Sequence, residues 1–295
     1  MKISIVVPSY NQGDYVAATL DSILKDQGDN AAEVIVNDGG STDQTVEVLQ
    51  RYGDRIQWSS APDFGQTDAI NRGLRRASGD ICAYLNSDDV YMPGALETVL
   101  RHFIDNPDCD LLYGDASHLY ADGTFMEAYP TAEWNYDRLF EQCYLCQPAV
   151  FWRRRLHRRM GFFDERLNLG MDYEFWLRVG QTSNVHYLSG KILAGSRLHA
   201  DTKTLRQRAP AHREILKIVR HYARQPADCY TWLKHLASIL SMDQGFPPSS
   251  LTAEHQRHLL VFSRNVLALA EEYRIELNGS ILNEIAGLAG LHSRP

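Results

Sequence analysis

The sequence is poor in cysteine and has no long apolar run, and each shortage excludes a class of protein. Five cysteines in 295 residues are too few for the disulfide framework of a secreted domain. No stretch approaches the roughly 18 apolar residues of a membrane-spanning helix. The apolar run after Met1 ends at Pro8 and is too short for a signal peptide. We therefore expect a cytoplasmic protein with reduced thiols.

A basic charge excess and the glycine-rich phosphate motifs are also missing. Lysine and arginine total 30 against 37 aspartates and glutamates, so the net charge is −7. Such a chain lacks the basic surface of a general nucleic-acid binder. Neither GxGxxG after the first apolar run nor GxxxxGK[ST] occurs, which excludes a Rossmann dehydrogenase and a P-loop enzyme.

The first hundred residues alternate between short apolar runs and stretches of helical length. The runs predict strands at residues 3–7, 34–36, 56–58 and 81–85. The stretches between and after them predict helices at residues 15–25, 43–52, 67–77 and 93–106. This alternation is typical of an α/β fold, with a mainly parallel central sheet and helices on both faces.

The pattern changes after residue 110. Further strands are predicted at residues 111–114, 116–120, 124–129 and 149–152, with a hairpin turn at residues 121–123. A short helix is predicted at residues 172–179. From residue 204 only helical patterns occur, and they are interrupted near residues 225–226, 245–248 and 278–279.

Three polar clusters follow three of the predicted strands, at residues 8–11, 37–43 and 86–89. Ligands of parallel sheets bind beyond the carboxyl ends of the strands, so we expect the clusters to meet in one crevice. Within the second cluster, Ser41 and Gln44 have the spacing of a helix capping box. That interpretation accounts for Ser41 but not for Asp38, which precedes it.

The third cluster contains the adjacent carboxylates Asp88 and Asp89. Neighbouring carboxylates repel each other unless a cation or strong hydrogen-bond donors hold them. Mg²⁺ or Mn²⁺ shared with a diphosphate fits such a pair. The alternative is a helix N-cap for the helix that begins near Pro93, with one aspartate solvated.

Taken together, these motifs resemble the family 2 glycosyltransferases. The matching segments are residues 8–11, 37–43, 71–73, 77–80, 86–89, 161–165 and 172–178. The resemblance covers roughly residues 1–203. Each motif alone is weakly specific, whereas their order and spacing together are highly specific.

The resemblance implies a GT-A fold over residues 1–203, with a nucleotide-binding half (1–110) and an acceptor half (111–203), followed by a helical extension (204–295). It implies transfer of a sugar from a nucleotide-sugar, with a UDP-sugar expected, to a carbohydrate or lipid-linked acceptor hydroxyl. The transfer inverts the anomeric centre, uses Mn²⁺ or Mg²⁺, and serves cell-surface polysaccharide or glycolipid synthesis. The alternatives are a sugar-phosphate nucleotidyltransferase and a non-catalytic carbohydrate-binding relative.

The resemblance also implies roles for individual residues: the nucleobase for Pro8, Tyr10 and Asp38, the ribose for Asp88, the metal for Asp89 and His199, and the catalytic base for Asp172. The chain departs from the family pattern at Asn86, where many relatives have aspartate, and at Met171, where many have glutamate. We favour Asp172 over Glu174 as the base. Helix positions two apart differ by about 200°, so both carboxylates cannot face one site.

Three other features leave alternatives open. Cys143 and Cys146 have zinc-knuckle spacing but no second ligand pair, so we expect buried apolar cysteines. Five arginines among residues 153–159 fit a solvated helix face, a patch for anionic lipid headgroups at the inner face of the membrane, a phosphate-bearing acceptor or, least favoured, nucleic acid. An apolar stripe fits packing on the catalytic domain, a homodimer contact, or a membrane or partner contact: Leu259, Phe262, Val266, Leu269 and Tyr273.

Overall fold

The computed structural model describes residues 1–25, 32–200, 202–243 and 253–288, which form two compact units. The first unit consists of Met1–Asn135 and Cys143–Ala200. The second consists of Tyr136–Gln142 and the described residues after Ala200. Residues 136–142 thus group with the helices, although the sequence places them in the predicted acceptor half. The domain boundary at residue 203 stays a prediction.

The described strands of the first unit form one sheet. They are β1 (Ile3–Ser9), β2 (Glu33–Asp38), β3 (Gln57–Ser60), β4 (Ile81–Tyr84), β5 (Val90–Tyr91), β6 (Leu111–Leu119), β7 (Phe125–Ala128), β8 (Val150–Arg153) and β9 (Val185–Arg197). Their order is β3-β2-β1-β4-β8-β6-β9-β5, and β7 pairs with β6. Strands β1 to β4 are parallel to one another. Strands β1, β2 and β4 are mostly apolar because parallel strands are covered on both faces, whereas the edge strand β3 is largely exposed. The predicted α/β fold is confirmed.

The other half of the sheet differs from the sequence-based prediction. Strand β8 lies antiparallel between β4 and β6, so this half is mixed. The sequence predicts two strands at residues 111–114 and 116–120, whereas β6 is continuous and its pairing with β9 shifts register around Asp115. Strands β5 and β9 were not predicted. The middle of β9 is exposed and lacks an alternating apolar pattern, so no local signal indicates it.

The helices of the first unit are α1 (Val16–Lys25), α2 (Thr45–Tyr52), α3 (Gln66–Arg76), α4 (Ala95–Asp105), α5 (Arg155–Met160) and α6 (Met171–Gly180). Those of the second unit are α7 (Lys203–Arg206), α8 (Arg208–Tyr222), α9 (Tyr230–Asp243), α10 (Ala253–Glu272) and α11 (Gly279–Leu288). The predicted breaks near residues 225 and 278 are present. The break near residues 245–248 lies outside the described residues. Within the described ranges, no helix is both long and apolar enough to cross a membrane.

The predicted apolar stripe lies on α10, which packs against α9 and α11 in the second unit. Val266, Leu269 and Tyr273 are buried, while Leu259 and Phe262 are half-buried. Most of the stripe is therefore covered within a single copy of the chain.

Helix α3 approaches β1 closely at Gly73. A Cβ atom built on Gly73 would lie 2.4 Å and 2.8 Å from the two methyl groups of Val6 and 3.0 Å from Asn37 Nδ2. We expect Gly73→Ala to lower the free energy of unfolding by about 1–3 kcal/mol, the usual cost of overpacking, as measured by urea denaturation. In the Val6→Ala/Gly73→Ala double variant the loss should be smaller than the sum of the two single losses, because the methyl groups are gone. A wild-type urea midpoint for Gly73→Ala would contradict the close approach.

Candidate active site

The loops that follow β1 and β2 are joined by hydrogen bonds. The two strands are parallel and pair Ser9 with Asp38, so the loops leave the sheet side by side. The amide of Asn11 donates to Ser41 Oγ (2.7 Å), and the amide of Thr42 donates to Asn11 Oδ1 (2.8 Å). Asn11 has φ 51°, in the left-handed region that asparagine tolerates better than most residues. Two of the three predicted polar clusters therefore meet and fix each other's shape.

Asp38 lies at the centre of this junction and is 3% exposed. Its carboxylate accepts from the amides of Gly40 (3.1 Å) and Ser41 (2.9 Å), from Ser60 Oγ (2.6 Å), and from Ser41 Oγ. Three of these donors meet Oδ2 and one meets Oδ1. Asp38 thus shapes the loop, and its Oδ1 keeps capacity for one more hydrogen bond.

The capping-box interpretation of Ser41 and Gln44 is wrong. Helix α2 begins only at Thr45, and the side chain of Ser41 donates to Asp38 instead of capping the helix. The Gln44 side chain donates to Asp14 Oδ1 (2.6 Å). The reason is tertiary, because Ser41 Oγ accepts from the amide of Asn11, 30 residues away, instead of from a helix amide.

Exposed aromatic side chains border this junction. Tyr10 is 60% exposed, and its Cδ2 atom would lie 3.3 Å from a Cβ built on Gly39. Asp63 touches the same glycine, and Phe64, the next residue, is 91% exposed. Pro8 is buried in β1. The structure therefore places the exposed ring of Tyr10 beside a glycine at which a Cβ atom would clash with the Asp63 carboxylate.

Asp88 and His199 meet beyond β4. His199 Nε2 lies 2.9 Å from Asp88 Oδ2, and the imidazole ring stacks on Tyr15 with 4.7 Å between ring centroids. The Arg197 guanidinium lies over the same tyrosine ring, and its Nε donates to the backbone oxygen of Asp88 (2.8 Å). The neighbouring side chains thus hold a carboxylate oxygen and an imidazole nitrogen side by side.

Asp89 is placed differently from Asp88. It is 3% exposed, and its Oδ1 accepts from the Arg197 amide (2.8 Å) while its Oδ2 accepts from Asn86 Nδ2 (3.3 Å). Burial raises the pKa of the Asp89 carboxyl well above its usual range, and the charge of Asp88 adds to this. The structure therefore pairs His199 with Asp88, whereas the sequence-based assignment pairs it with Asp89.

The donor set of Asp88 and His199 fits a divalent cation. Carboxylate oxygen suits Mg²⁺ and Mn²⁺, while imidazole nitrogen suits first-row transition ions, so the pair favours Mn²⁺ over Mg²⁺. Asn86 contributes less, because its Oδ1 already accepts from Gln66 Nε2 (2.7 Å) and its Nδ2 also donates to Gln147 Oε1 (3.3 Å). The remaining coordination positions are left for water or phosphate oxygens, as is usual for such ions.

Helix α6 carries two carboxylates in its first turn with different surroundings. Glu174 is buried and forms a bidentate ion pair with Arg178, in which Nε and Nη2 each lie 2.8 Å from a carboxylate oxygen. Asp172 lies one residue inside the helix, and its Oδ1 accepts from the amide of Tyr173 (2.8 Å). A helix N-terminus favours an anion. Glu174 is thus committed to Arg178, and Asp172 is the carboxylate of α6 suited to chemistry.

The charges of Asp172 and Asp89 both reach the side chains of Tyr84 and Cys146. Burial raises the pKa of Tyr84 and of Cys146, and the charges of Asp89 and Asp172 raise both further. Tyr84 is the last residue of β4. The acidic pair and the first turn of α6 therefore lie near the same strand end, although 83 residues separate Asp89 from Asp172 along the chain.

The segment before α6 is held on α3. Asn71 donates to the backbone oxygen of Phe163 (2.9 Å) and accepts from its amide (3.1 Å). Thr67 Oγ1 donates to the backbone oxygen of Leu167 (2.7 Å). These bonds join the motif at residues 71–73 to the one at residues 161–165. They fix where α6 begins and so where Asp172 lies.

The cysteine pair of residues 143–146 and the first arginine of the basic run are covered by the fold. Cys146 is buried, as predicted, and Cys143 is half-buried. Arg153 is also buried, and it donates to the backbone oxygens of Cys109 (2.9 Å) and Phe103 (2.7 Å). A solvated helix face therefore does not describe this arginine.

Two more arginines of the basic run are paired. Asp110 accepts from Arg155 (2.9 Å) and from Arg159 (3.3 Å). The other two arginines, Arg154 and Arg158, are half-buried and exposed, respectively. Arg155 and Arg159 are themselves exposed and share the single carboxylate of Asp110, so most of the positive charge of this run stays at the surface.

Sequence reasoning missed two residues of the site. Tyr15 carries the stack beneath His199, and Gln66 binds the Asn86 side chain. Tyr15 begins a predicted helix and Gln66 directly precedes one, so their positions show only a helix start. Contacts over 184 and 20 residues of separation leave no local pattern.

Comparisons with known proteins identify the family. The family model described as "Glycosyl transferase family 2" matches residues 4–169. An uncharacterised glycosyltransferase of Rickettsia prowazekii is 27% identical over 215 residues, which are 68% of this chain and 65% of that protein. The hyaluronan synthase of Pasteurella multocida is 28% identical over 209 residues, which are 70% of this chain but only 21% of that protein. The matched part thus spans between about a fifth and two thirds of these relatives.

Solved structures share the fold. S. aureus TarS 1-349 in complex with UDP-GlcNAc has a TM-score of 0.60 at 19% identity, covering 92% of this chain and 83% of that one. The mannosyltransferase PcManGT from Pyrobaculum calidifontis, in complex with GDP-Man and Mn²⁺, has a TM-score of 0.62 at 15% identity, covering 98% and 86%. Identities this low show the fold, and the extra helices of the second unit are included in the alignment.

Proposed function

Because the chain belongs to the glycosyl transferase family 2, we propose that it transfers a sugar from a nucleotide-sugar to an acceptor hydroxyl, with inversion of the anomeric centre. One observation carries the proposal. The charges of Asp89 and Asp172 both reach the buried Tyr84 at the end of β4 and raise its pKa, and Asp88, the neighbour of Asp89, meets His199. Glycosyl transfer needs both parts, since a diphosphate must leave while a hydroxyl loses its proton.

On the donor side, the junction of the first two loops binds the nucleoside. Tyr10 stacks on the base above Gly39, and Pro8 and Asp38 fix the loop that presents it. Asp88 and His199 face the diphosphate and hold its cation. The cation supplies Lewis-acid stabilisation of the negative charge that develops on the phosphate oxygens. Tyr15 and Arg197 keep the imidazole in place.

On the acceptor side, Asp172 accepts the proton of the attacking hydroxyl through its carboxylate. A positioned base of this kind makes a weak nucleophile reactive. Attack from the face opposite the diphosphate inverts the anomeric centre. Glu174 does not compete for this role, because Arg178 holds both of its oxygens.

We propose a UDP-sugar as the donor and a polysaccharide or glycolipid as the acceptor. The UDP-GlcNAc complex of TarS supports the donor, and the hyaluronan synthase supports the acceptor class. The GDP-Man and Mn²⁺ complex of PcManGT supports Mn²⁺ and makes GDP-sugars the second class of donor to test.

The proposal does not depend on a membrane or on a second copy of the chain. Arg153 is buried, while Arg155, Arg158 and Arg159 are exposed and Arg154 is half-buried. An anionic headgroup or a phosphate-bearing acceptor would meet these exposed side chains.

A thermal-shift panel tests the proposed donor. UDP-, GDP-, dTDP- and CDP-sugars are added at equal concentration with Mn²⁺, and we expect a UDP-sugar to raise the melting temperature most. A ligand that binds only the folded state stabilises it by mass action, by about 2.7 kcal/mol when the ligand concentration is 100 times Kd. This stabilisation raises the melting temperature. The best donor is then incubated without acceptor, and slow release of free nucleoside diphosphate is expected from a transferase.

The same incubation separates the alternatives. Release of pyrophosphate from a sugar phosphate and a nucleoside triphosphate would show a nucleotidyltransferase. A donor that stabilises the protein and is never cleaved, with or without candidate acceptors, would show a binding module. Either result would overturn the proposed transfer.

A further inference from the structure

Three metal-ligating side chains meet at the edge of the sheet opposite the candidate active site. His102 lies in the last turn of α4, Cys109 shortly before β6, and His186 near the start of β9. Each offers one ligand atom, and these atoms all lie within 4.8 Å of one another. No other group of three histidine, cysteine or acidic residues with this spacing occurs in the part of the chain that the structure describes.

The sheet topology separates this cluster from the active site. Strands β4 and β6 are both antiparallel to β8, so they run in the same direction. The candidate active site lies beyond the carboxyl end of β4, whereas the cluster lies at the amino ends of β6 and β9, where Leu111 pairs with Val185. A ligand of the cluster therefore occupies a second site.

The two imidazoles already face each other. His102 Nε2 lies 2.9 Å from His186 Nδ1, and the ring planes are inclined at 80°. Without a ligand, the N–H of one ring donates a hydrogen bond to the nitrogen of the other. A cation can replace that proton, because both nitrogens point at the same place and Cys109 Sγ lies beside them.

We propose that His102, Cys109 and His186 bind one Zn²⁺ ion. Zinc–nitrogen bonds of about 2.0–2.1 Å and a zinc–sulfur bond of about 2.3 Å place tetrahedral ligand atoms roughly 3.3–3.7 Å apart. The imidazole nitrogens must separate by about 0.4 Å from their present distance to reach that geometry. The Cys109 sulfur atom lies within 4.8 Å of both nitrogens and must lie roughly 3.3–3.7 Å from each. Three protein ligands leave the fourth position to water.

The donor types select the ion. A thiolate and two imidazoles suit Zn²⁺ and similar transition ions, whereas Mg²⁺ and Mn²⁺ prefer oxygen. The proposed donor site at Asp88 and His199 has the opposite preference, since its further ligands are phosphate oxygens. One chain would thus hold two cations of different chemistry.

Zinc binding at Cys109 displaces the thiol proton, because the thiolate is the form that binds a metal ion. Binding follows Cys–SH + Zn²⁺ → Cys–S–Zn⁺ + H⁺, so the ion takes the place of the proton.

Bound zinc would join the end of α4 to two strands. Arg153 already connects this region, by donating to the backbone oxygens of Cys109 and Phe103. The ion adds a link between His102 and His186, which lie 84 residues apart. The ion would therefore stabilise the packing of α4 against the sheet.

Cobalt substitution tests this proposal on the full chain. One equivalent of Co²⁺ should produce a thiolate-to-cobalt charge-transfer band, and one equivalent of Zn²⁺ should remove it. Cys109→Ser should abolish the band. His102→Gln and His186→Gln should each weaken Co²⁺ binding by at least about 10–100-fold, the range known for losing even an outer-shell partner.

Matched controls keep the test decisive. Cys143→Ser removes another cysteine and His118→Gln another half-buried histidine, and both should keep the band and the affinity. Circular dichroism shows whether each variant folds, and the two histidine variants carry the test if Cys109→Ser does not. The proposal is overturned if the wild type gives no band, if the band survives Cys109→Ser, or if folded histidine variants bind Co²⁺ with wild-type affinity.

Discussion

Asp172→Asn is expected to lower turnover by about 10²–10⁴-fold, the usual range for the loss of a general base. Asparagine keeps the shape of the side chain, and its oxygen can still accept from the Tyr173 amide. It cannot accept a proton from the acceptor hydroxyl at neutral pH. Affinity for the donor should stay within about twofold. Turnover is measured as nucleoside diphosphate release at saturating donor, and affinity by calorimetry.

Glu174→Gln is the matched control on the same helix turn. It weakens the ion pair between Glu174, whose side chain is 10% exposed, and Arg178, whose side chain is 21% exposed. We therefore expect a lower melting temperature and nearly unchanged turnover. Wild-type turnover in Asp172→Asn, together with a large loss in a folded Glu174→Gln, would move the base to Glu174.

Asp88→Asn is expected to lower turnover by about 10²–10³-fold. The reason is that Lewis-acid stabilisation of a leaving group is worth several kcal/mol, and each 1.36 kcal/mol changes the rate about tenfold. Mn²⁺ and UDP should bind the wild type with positive coupling, since the diphosphate completes the cation's ligands, and the coupling must be reciprocal. Calorimetry with and without the second ligand measures it. In Asp88→Asn the coupling should disappear.

Asp89→Asn provides the contrasting variant. Its carboxylate accepts from the Arg197 amide and from Asn86 Nδ2. In the variant an NH₂ group replaces one acceptor oxygen, so two hydrogen-bond donors face each other. We expect a loss of about 1–3 kcal/mol in stability, the cost of an unsatisfied buried polar group, with the coupling retained. Coupling that survives Asp88→Asn and is lost in Asp89→Asn would return the cation to Asp89, as the sequence-based assignment has it. Wild-type turnover in EDTA would show that neither Asp88 nor Asp89 acts through a bound cation.

Much of the donor half could be predicted from sequence, because its signals are local. Apolar runs separated by helical stretches indicate β1, β2, β3 and β4, whose parallel pairing is present in the structure. Strand ends followed by polar clusters locate the site, since carboxyl ends of parallel strands meet at one edge. The helical pattern of the tail also predicts the breaks near residues 225 and 278.

Local signals fail where a residue's role is set by a distant partner. Ser41 has the spacing of a cap, but its Oγ accepts from the Asn11 amide, 30 residues away. Arg153 belongs to a charged run, but it is buried and donates to the backbone oxygen of Cys109. Strand β9 has no apolar alternation, yet it pairs with β6 along most of its length. Hydrogen bonding to a neighbour across the fold outweighed the local preference in each case.

The sequence by itself determined the family, the parallel donor half and the set of acidic residues from which the site is built. Only the tertiary structure decided which of the adjacent aspartates meets His199. His199 follows Asp88 by 111 residues, and nothing in their spacing tells which of the two adjacent aspartates it meets. The turn at residues 86–89 exposes one carboxylate to the imidazole and buries the other against the Arg197 amide. Adjacent residues share every local pattern, so only the direction of each side chain in the folded chain separates them.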